Sequence, residues 1–360
     1  MSKKLIIIGN GLGMALNPEH FSLANAMNRV WDGDSLDTKQ KELIGALKGI
    51  DAGTGPTGED KLIATQIALG LLSDFRDRLG DDALDRWFTG YAKNFPHTLR
   101  RYIFEIAFDL YSYEVPAAKQ NLWENFTQHF IKFIMETKSH VATLNYDDLI
   151  YEKVVNGVVI DGKKWVPQEV QPGKKFPYIR DGFINRGYPQ FRQDSFDFSG
   201  DCGFYLHLHG TPLFATKGSQ HIKLPRCDMS FNEETRRRHI ILANPKDKRE
   251  LISQSEILDN LWKKQLPRCI REANEIIVFG YSGLDEHLNE RLADAKATKK
   301  WVIEWSRTKH ALHDSEIIEG AEVSAEQFWT KKLGQNVQVK RLDNILDFTE
   351  WYNPDDHIPF

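Results

Sequence analysis

Four short segments carry residue types that can do chemistry together, and each follows an apolar run. The first is Gly9-Asn10-Gly11-Leu12-Gly13, after Leu5–Ile8. Glycines let a backbone approach a pyrophosphate closely, and the amide hydrogens of a following helix start face the anion. The same residues also suit a tight structural turn, and they do not fit the GxGxxG pattern. The second is Thr143-Leu144-Asn145-Tyr146-Asp147-Asp148, which sets an amide and carboxylates at a strand end. Asp147 or Asp148 suits the cap of a helix carrying Leu149, Ile150 and Val154, which leaves Asn145 unexplained. The third is His207-Leu208-His209-Gly210. Residues two apart on a strand face one side, so the two histidines offer metal ligands, but no third ligand stands at a diagnostic spacing. His207 reads as a hydrogen-bonded structural histidine, whereas His209, beside a glycine at a strand end, is better placed as a general base. The fourth is Gly280-Tyr281-Ser282-Gly283-Leu284-Asp285, small and hydroxyl residues suited to phosphate or ribose, with Asp285 also suited to cap a helix from Glu286. Glu304 ends the run Trp301–Ile303 and suits ribose hydroxyls or a solvated strand end.

Ligands of an open parallel sheet bind beyond the carboxyl ends of its strands. Lys4–Ile8 is a continuous apolar run ended by Gly9 and predicts a fully buried parallel strand. Further strands are predicted at Val141–Leu144, Phe204–Leu208, Glu275–Phe279, Trp301–Glu304 and Val337–Val339. Residues 20–138 predict helices: Leu62, Ile63, Ile67, Leu71 and Phe75 recur at helical spacing, and Leu99, Ile103, Ile106 and Leu110 do so after Pro96. The clearest helix is Asn121–Met135, with Leu122, Phe126, Phe130, Phe133 and Ile134 on one face. Asp51–Gly58 reads as a connector. Residues 156–200 read as a short hairpin, Val158–Ile160 with Lys164–Val166, and an ordered loop. Arg249–Ala273 predicts one long helix that Pro267 kinks or divides. A short terminal helix is expected from Ile345. Strands alternating with helical stretches predict an α/β fold, a Rossmann-like doubly wound parallel sheet with a large helical insertion after the first strand. The boundaries expected are 1–19 and 139–345 for the core, 20–138 for the insertion and 346–360 for a C-terminal tail.

Composition narrows the function classes. With 360 residues, 41% hydrophobic and 27% charged, the chain is of globular type. The net charge of −4 gives no global pull toward nucleic acid, so no direct nucleic-acid binding is expected. Arg236–Arg238 reads as a solvated helix face. No apolar run is long enough to cross a bilayer, and Met1–Lys4 with four apolar residues behind it does not read as a signal peptide. The cysteines, Cys202, Cys227 and Cys269, form no CxxC pair, which argues against a disulfide framework and a four-cysteine zinc site. A cytoplasmic location is expected.

Taken together, these segments resemble the sirtuin-like superfamily, specifically its zinc-free bacterial branch associated with phage defence. Gly9-Asn10-Gly11 resembles the first glycine-rich NAD loop, and Thr143-Leu144-Asn145-Tyr146-Asp147 resembles the Thr-Gln-Asn-Ile-Asp motif. Leu208-His209-Gly210 is similar to the segment carrying the catalytic histidine. Pro245-Lys246-Asp247-Lys248, Leu261-Trp262, Val278–Ser282 and Asp285 resemble the tail of the bacterial branch. The chain departs from the family in lacking the paired cysteines of the zinc ribbon. Gly13 or Met14 stands where a serine usually closes the first loop, and Pro18-Glu19-His20-Phe21 stands near the place of Asp-Phe-Arg.

The resemblance therefore implies a nicotinamide-releasing NAD+ hydrolase, with NAD+ as substrate and no zinc, rather than a protein deacylase. It implies that Asn145 orients the water and the ribose, and that His209 contacts ribose hydroxyls and acts as general base. It assigns Asp147 to the nicotinamide carboxamide. Gly9, Asn10, Gly11, Gly280 and Ser282 belong to the NAD-binding loops, with the pyrophosphate held at Gly9, Gly11, Gly280 and Ser282, and Glu304 goes to the adenosine ribose. Unrestrained cleavage would kill a cell, so control through a homo-oligomer or a partner ATPase of the DNA-translocase type is expected. The rival readings are a silent NAD or nucleotide sensor, a scaffold subunit and a zinc-independent deacylase.

Overall fold

Lys4–Ile8 is the central strand of the sheet, and all five of its residues are buried. Even Lys4 is enclosed: its Nζ pairs with the Glu275 carboxylate at 2.8 Å and donates to the Trp351 carbonyl at 3.3 Å. The fold comes from a computed structural model that describes residues 3–47, 49–51, 53–58, 61–62, 66, 95–170, 176–184, 189–197, 202–225, 239–242, 248–295, 298–305 and 324–352. In chain order the strands are β1 Lys4–Ile8, β2 His140–Thr143, β3 Val158–Ile160, β4 Lys163–Trp165, β5 Ile179–Arg180, β6 Phe183–Ile184, β7 Gln190–Phe191, β8 Gly203–His207, β9 Phe214–Lys217, β10 Gln220–Lys223, β11 Glu275–Phe279, β12 Lys299–Trp305 and β13 Val337–Leu342.

Seven strands form one sheet in the order β13-β12-β11-β1-β2-β8-β5. Every adjacent pair is parallel. Ile6 lies between Ile277 of β11 and Val141 of β2. The chain leaves β1 toward β2 on one side and returns to β11 on the other. This is the α/β, Rossmann-like doubly wound arrangement, and its strand order reverses between β1 and β11.

Between β1 and β2 the described residues are mostly helical. The helices include Leu23–Asp32, Thr38–Gly45, Phe95–Tyr111 and Ala117–Thr137. Pro116 stands as N-cap of the last, where a missing N–H breaks no helical bond. The expected helix on Ile63, Ile67, Leu71 and Phe75 lies outside the described residues. Phe126, Phe130 and Phe133 of Ala117–Thr137 close on Trp351, with ring centroids 5.8, 5.0 and 5.9 Å away. The same indole meets Phe279 at the end of β11 and Phe348. The C-terminal segment, with a 3-10 turn at Ile345–Asp347, thus seats in the core.

Two expectations are corrected. Arg249–Ala273 is not one helix. It divides into Lys248–Ser253, Glu256–Asn260, a π turn at Leu261–Gln265 and Leu266–Glu272. Ser255 restarts the helix by accepting the Leu258 N–H. The Leu266 N–H reaches back five residues to the Leu261 carbonyl, and this wider turn accommodates Pro267 without a break. Residues 156–200 hold more than a hairpin and a loop. Beside the β3–β4 hairpin they supply β5 to the main sheet, and β6 and β7 to a second, antiparallel sheet of order β6-β7-β10-β9. Among the described residues no helix is long and apolar enough to cross a membrane.

Candidate active site

The loops after β1 and β11 meet at the point where strand order reverses. Gly11 N–H donates to the Gly280 carbonyl at 2.7 Å, and Gly9 N–H to the Phe279 carbonyl at 3.0 Å. A Cβ on Gly9 would lie 2.6 Å from Tyr281 Cα, and one on Gly11 2.5 Å from the Gly280 oxygen. Gly280 itself has φ of +59°. Glycine is needed here because two backbones touch, a reason the sequence pattern does not separate from anion binding.

A cavity of about 300 Å³ opens over these loops. Gly9, Asn10, Asn145, Asp147, His209 and Ser282 all line it. They follow four different strands, so the sheet brings together six of the nine residues singled out above. Tyr146, Lys248, Tyr281 and Asp285 complete the polar side, and Phe21, Leu23, Leu110, Leu144 and Leu284 form an apolar wall. Gly11 and Gly280 lie behind the lining, in the contact between the loops.

Asn145 is buried, and its Nδ2 donates to the Gly9 carbonyl at 3.2 Å. Its Oδ1 is buried with no hydrogen-bond partner among the described residues. An orphaned acceptor of this kind costs about 1–3 kcal/mol and calls for an explanation. Asp147 Oδ1 accepts the Leu149 N–H at 3.1 Å. Asp148 occupies the N-cap position and makes no side-chain cap bond, so Asp147 does the capping. Burial pushes the Asp147 carboxyl up to about 6, against hydrogen bonds from the Leu149 backbone and Asn145 that pull it down.

His209 sits in a buried triad. Its Nε2 is 3.0 Å from Asp285 Oδ2 and 3.1 Å from Lys248 Nζ, and Lys248 Nζ is 2.8 Å from the same carboxylate oxygen. Burial, then the Lys248 charge, hold the imidazole below its ordinary value, against Asp285 and a hydrogen bond to the Leu144 backbone. Burial alone would raise Asp285, but His209 and Lys248 outweigh it and hold the carboxyl well below the carboxylate range. Asp285 does cap the helix Glu286–Ala293, through Oδ1 to the Leu288 N–H at 3.1 Å, which leaves Oδ2 for the triad. Behind it, Trp262 Nε1 holds the Leu208 carbonyl at 2.6 Å.

His207 and His209 do not share a face. β8 ends at His207, and a turn carries His209 into the cavity. The His207 ring is packed among Tyr151, Tyr205 and Phe214, and burial drives its pKa down to about 3. Among the described residues neither of its nitrogens has a hydrogen-bond partner, which departs from the hydrogen-bonded structural histidine expected.

Glu304 stands two strands from β1 and outside the cavity. It is buried rather than solvated, and its carboxylate accepts Trp329 Nε1 at 2.8 Å and Arg341 Nε at 2.6 Å. Arg236–Arg238, Pro245–Asp247 and Cys227 lie outside the described residues.

Sequence reasoning missed the pairing of Lys248 and Asp285 with His209. The one local signal was an N-cap aspartate, whose second oxygen is free to take another partner. Phe21, Leu23 and Leu110 carried no signal, because an apolar cavity wall and a core face look alike in sequence. No family model matches the chain, and no curated protein is similar enough to match it.

Proposed function

We propose that the protein is an NAD+ hydrolase that cleaves the nicotinamide N-glycosidic bond, acting in bacterial anti-phage defence by depleting NAD+. One observation carries the reading: Asn145 and His209, 64 positions apart in the chain, line one cavity at the switch point of a doubly wound sheet, and Asn145 keeps a buried oxygen without a partner among the described residues. A crevice beyond the strand ends is where such sheets take nucleotides.

NAD+ already carries a cationic leaving group, so its glycosidic bond needs positioning and a water more than a strong acid. The C1′–N bond breaks, its electron pair neutralises the nicotinamide ring, and positive charge develops on the ribose. Water adds at C1′ and loses its proton. Asn145 Oδ1 accepts from that water or a ribose hydroxyl, and His209, held neutral by burial and Lys248, takes the proton. Asp147 faces the carboxamide, and Gly9, Asn10 and Ser282 offer the loop edges to the pyrophosphate. Assembly into a homo-oligomer, or a DNA-translocating ATPase partner, supplies the trigger.

The test is to incubate the purified chain with NAD+ at several protein concentrations and follow free nicotinamide. Release by wild type, and its loss in folded Asn145→Ala and His209→Ala, is expected. Undiminished cleavage by both variants would overturn the assignment. Release that requires an acetylated peptide would point to a deacylase instead. A second reading, a nucleotide-binding subunit without turnover, is favoured by the occupation of His209 Nε2 by Asp285 and Lys248. Tight NAD+ binding with no nicotinamide at any concentration would establish it.

A further inference from the structure

The three-way contact of His209, Asp285 and Lys248 has a feature that a simple His–Asp pair lacks. A deprotonated Nε2 and a carboxylate oxygen are both acceptors, and at 3.0 Å they repel unless a proton lies between or beside them. Lys248 Nζ stands 3.1 Å from the nitrogen and 2.8 Å from the oxygen, and an ammonium has protons for both. All three side chains are more than nine-tenths buried, so water does not mediate this choice cheaply. Asp285 is fixed from the other side, where Oδ1 caps a helix and its backbone N–H donates to Tyr281 Oη at 2.8 Å.

We propose that Lys248 and Asp285 are positioning residues that give His209 two alternative hydrogen bonds at Nε2, one for each protonation state. In the resting site Lys248 donates to the bare Nε2. When His209 takes a proton from the attacking water or a ribose hydroxyl, Nε2–H donates to Asp285 Oδ2 and Lys248 keeps its own protons, now all turned to the carboxylate and the cavity. Asp285 never becomes protonated. The imidazole therefore need not swing between the two states. Besides Lys248 and Asp285, the titratable groups around the ring among the described residues are Asp147 and Tyr281, which line the same cavity, and Tyr146, whose ring centroid is 6.1 Å away.

The activity test rests on the NAD+ reading; the spectroscopic one does not. In wild type, Asp285→Asn and Lys248→Met, the pH dependence of nicotinamide release is measured, together with the 15N resonances of the His209 ring, identified by their loss in His209→Gln. Asn keeps a capping oxygen, so the helix start survives, and Lys248→Gln serves where Met does not fold. Removing the cation is expected to move the His209 titration, and the acid limb of the rate profile, to higher pH. Removing the anion is expected to move both to lower pH, each by about one unit or more. Shifts in opposite directions are the result that a merely structural role would not give. Unchanged titration in both variants, or shifts of the same sign, would overturn the proposal. If wild type releases no nicotinamide, the functional reading fails, and the ring titration alone decides whether the triad works as stated.

Discussion

Asn145 donates its side-chain amide to the Gly9 carbonyl across 3.2 Å, so the loop after β2 is fastened to the loop after β1. The bond spends the donor end of the amide within the protein and leaves the acceptor end buried without a partner among the described residues. Asn145→Ala removes the bond to Gly9, the hydrogen bond to Asp147 and the orphaned oxygen together. Stability should change by less than about 1 kcal/mol, because these effects oppose each other. Nicotinamide release should fall at least about 100-fold through lost positioning. Thermal unfolding beside a turnover assay separates the two.

Gly11→Ala should weaken the fold. The new methyl would stand 2.5 Å from the Gly280 oxygen and 2.7 Å from Gly280 Cα, and backbone has little room to give. An overpacked contact of this kind costs about 1–3 kcal/mol, which a shifted denaturant midpoint at unchanged slope would report.

Two buried carboxyls should affect stability with opposite signs as pH changes. Asp147 rises from 3.8 to about 6 on folding, so the folded chain holds its proton longer than the unfolded one. Its contribution therefore falls as pH climbs from about 4 to 6 and is flat above. Asp181, where burial is outweighed by Lys223, drops to about 2, and its stabilising contribution is lost as pH falls from about 4 toward 2. Asp147→Asn should gain stability over wild type across the first window. Equal midpoints for the two proteins at pH 4 and pH 7 would refute this.

Trp351→Ala should cost about 3–5 kcal/mol, because a fully buried indole ringed by Phe126, Phe130, Phe133, Phe279 and Phe348 leaves a void the sheet cannot close. Chemical denaturation of the variant measures it directly.

The strands were legible because Leu5–Ile8 and Ile276–Phe279 are unbroken apolar runs, which a strand buried on both faces requires. Asn145 and His209 were legible because polar groups directly after such runs fall at one sheet edge. Lys248 was not, because what matters is its distance to Asp285, 37 positions further on, and no local pattern encodes that. The partners of Glu304 were hidden for a related reason. A strand-end carboxylate looks the same whether it faces a ribose or, as here, Arg341 and Trp329. The antiparallel hairpin β9–β10 escaped notice because its turn at Gly218 lies in a segment with mixed polarity. The π turn before Pro267 is likewise invisible to a rule that knows only that proline breaks helices.

The backbone contact between Gly11 and Gly280 has a consequence for how a guest enters. The two loops share a hydrogen bond and have no side chains between them, so they behave as one rigid shelf. Induced adjustment must then come from across the opening, where Phe21 ends the short helix Pro18–Phe21 and Leu23 begins the helix Leu23–Asp32, both outside the sheet. Among the described residues, the apolar wall that the helices carry at Phe21, Leu23 and Leu110 is thus the part of the rim not tied into this backbone contact.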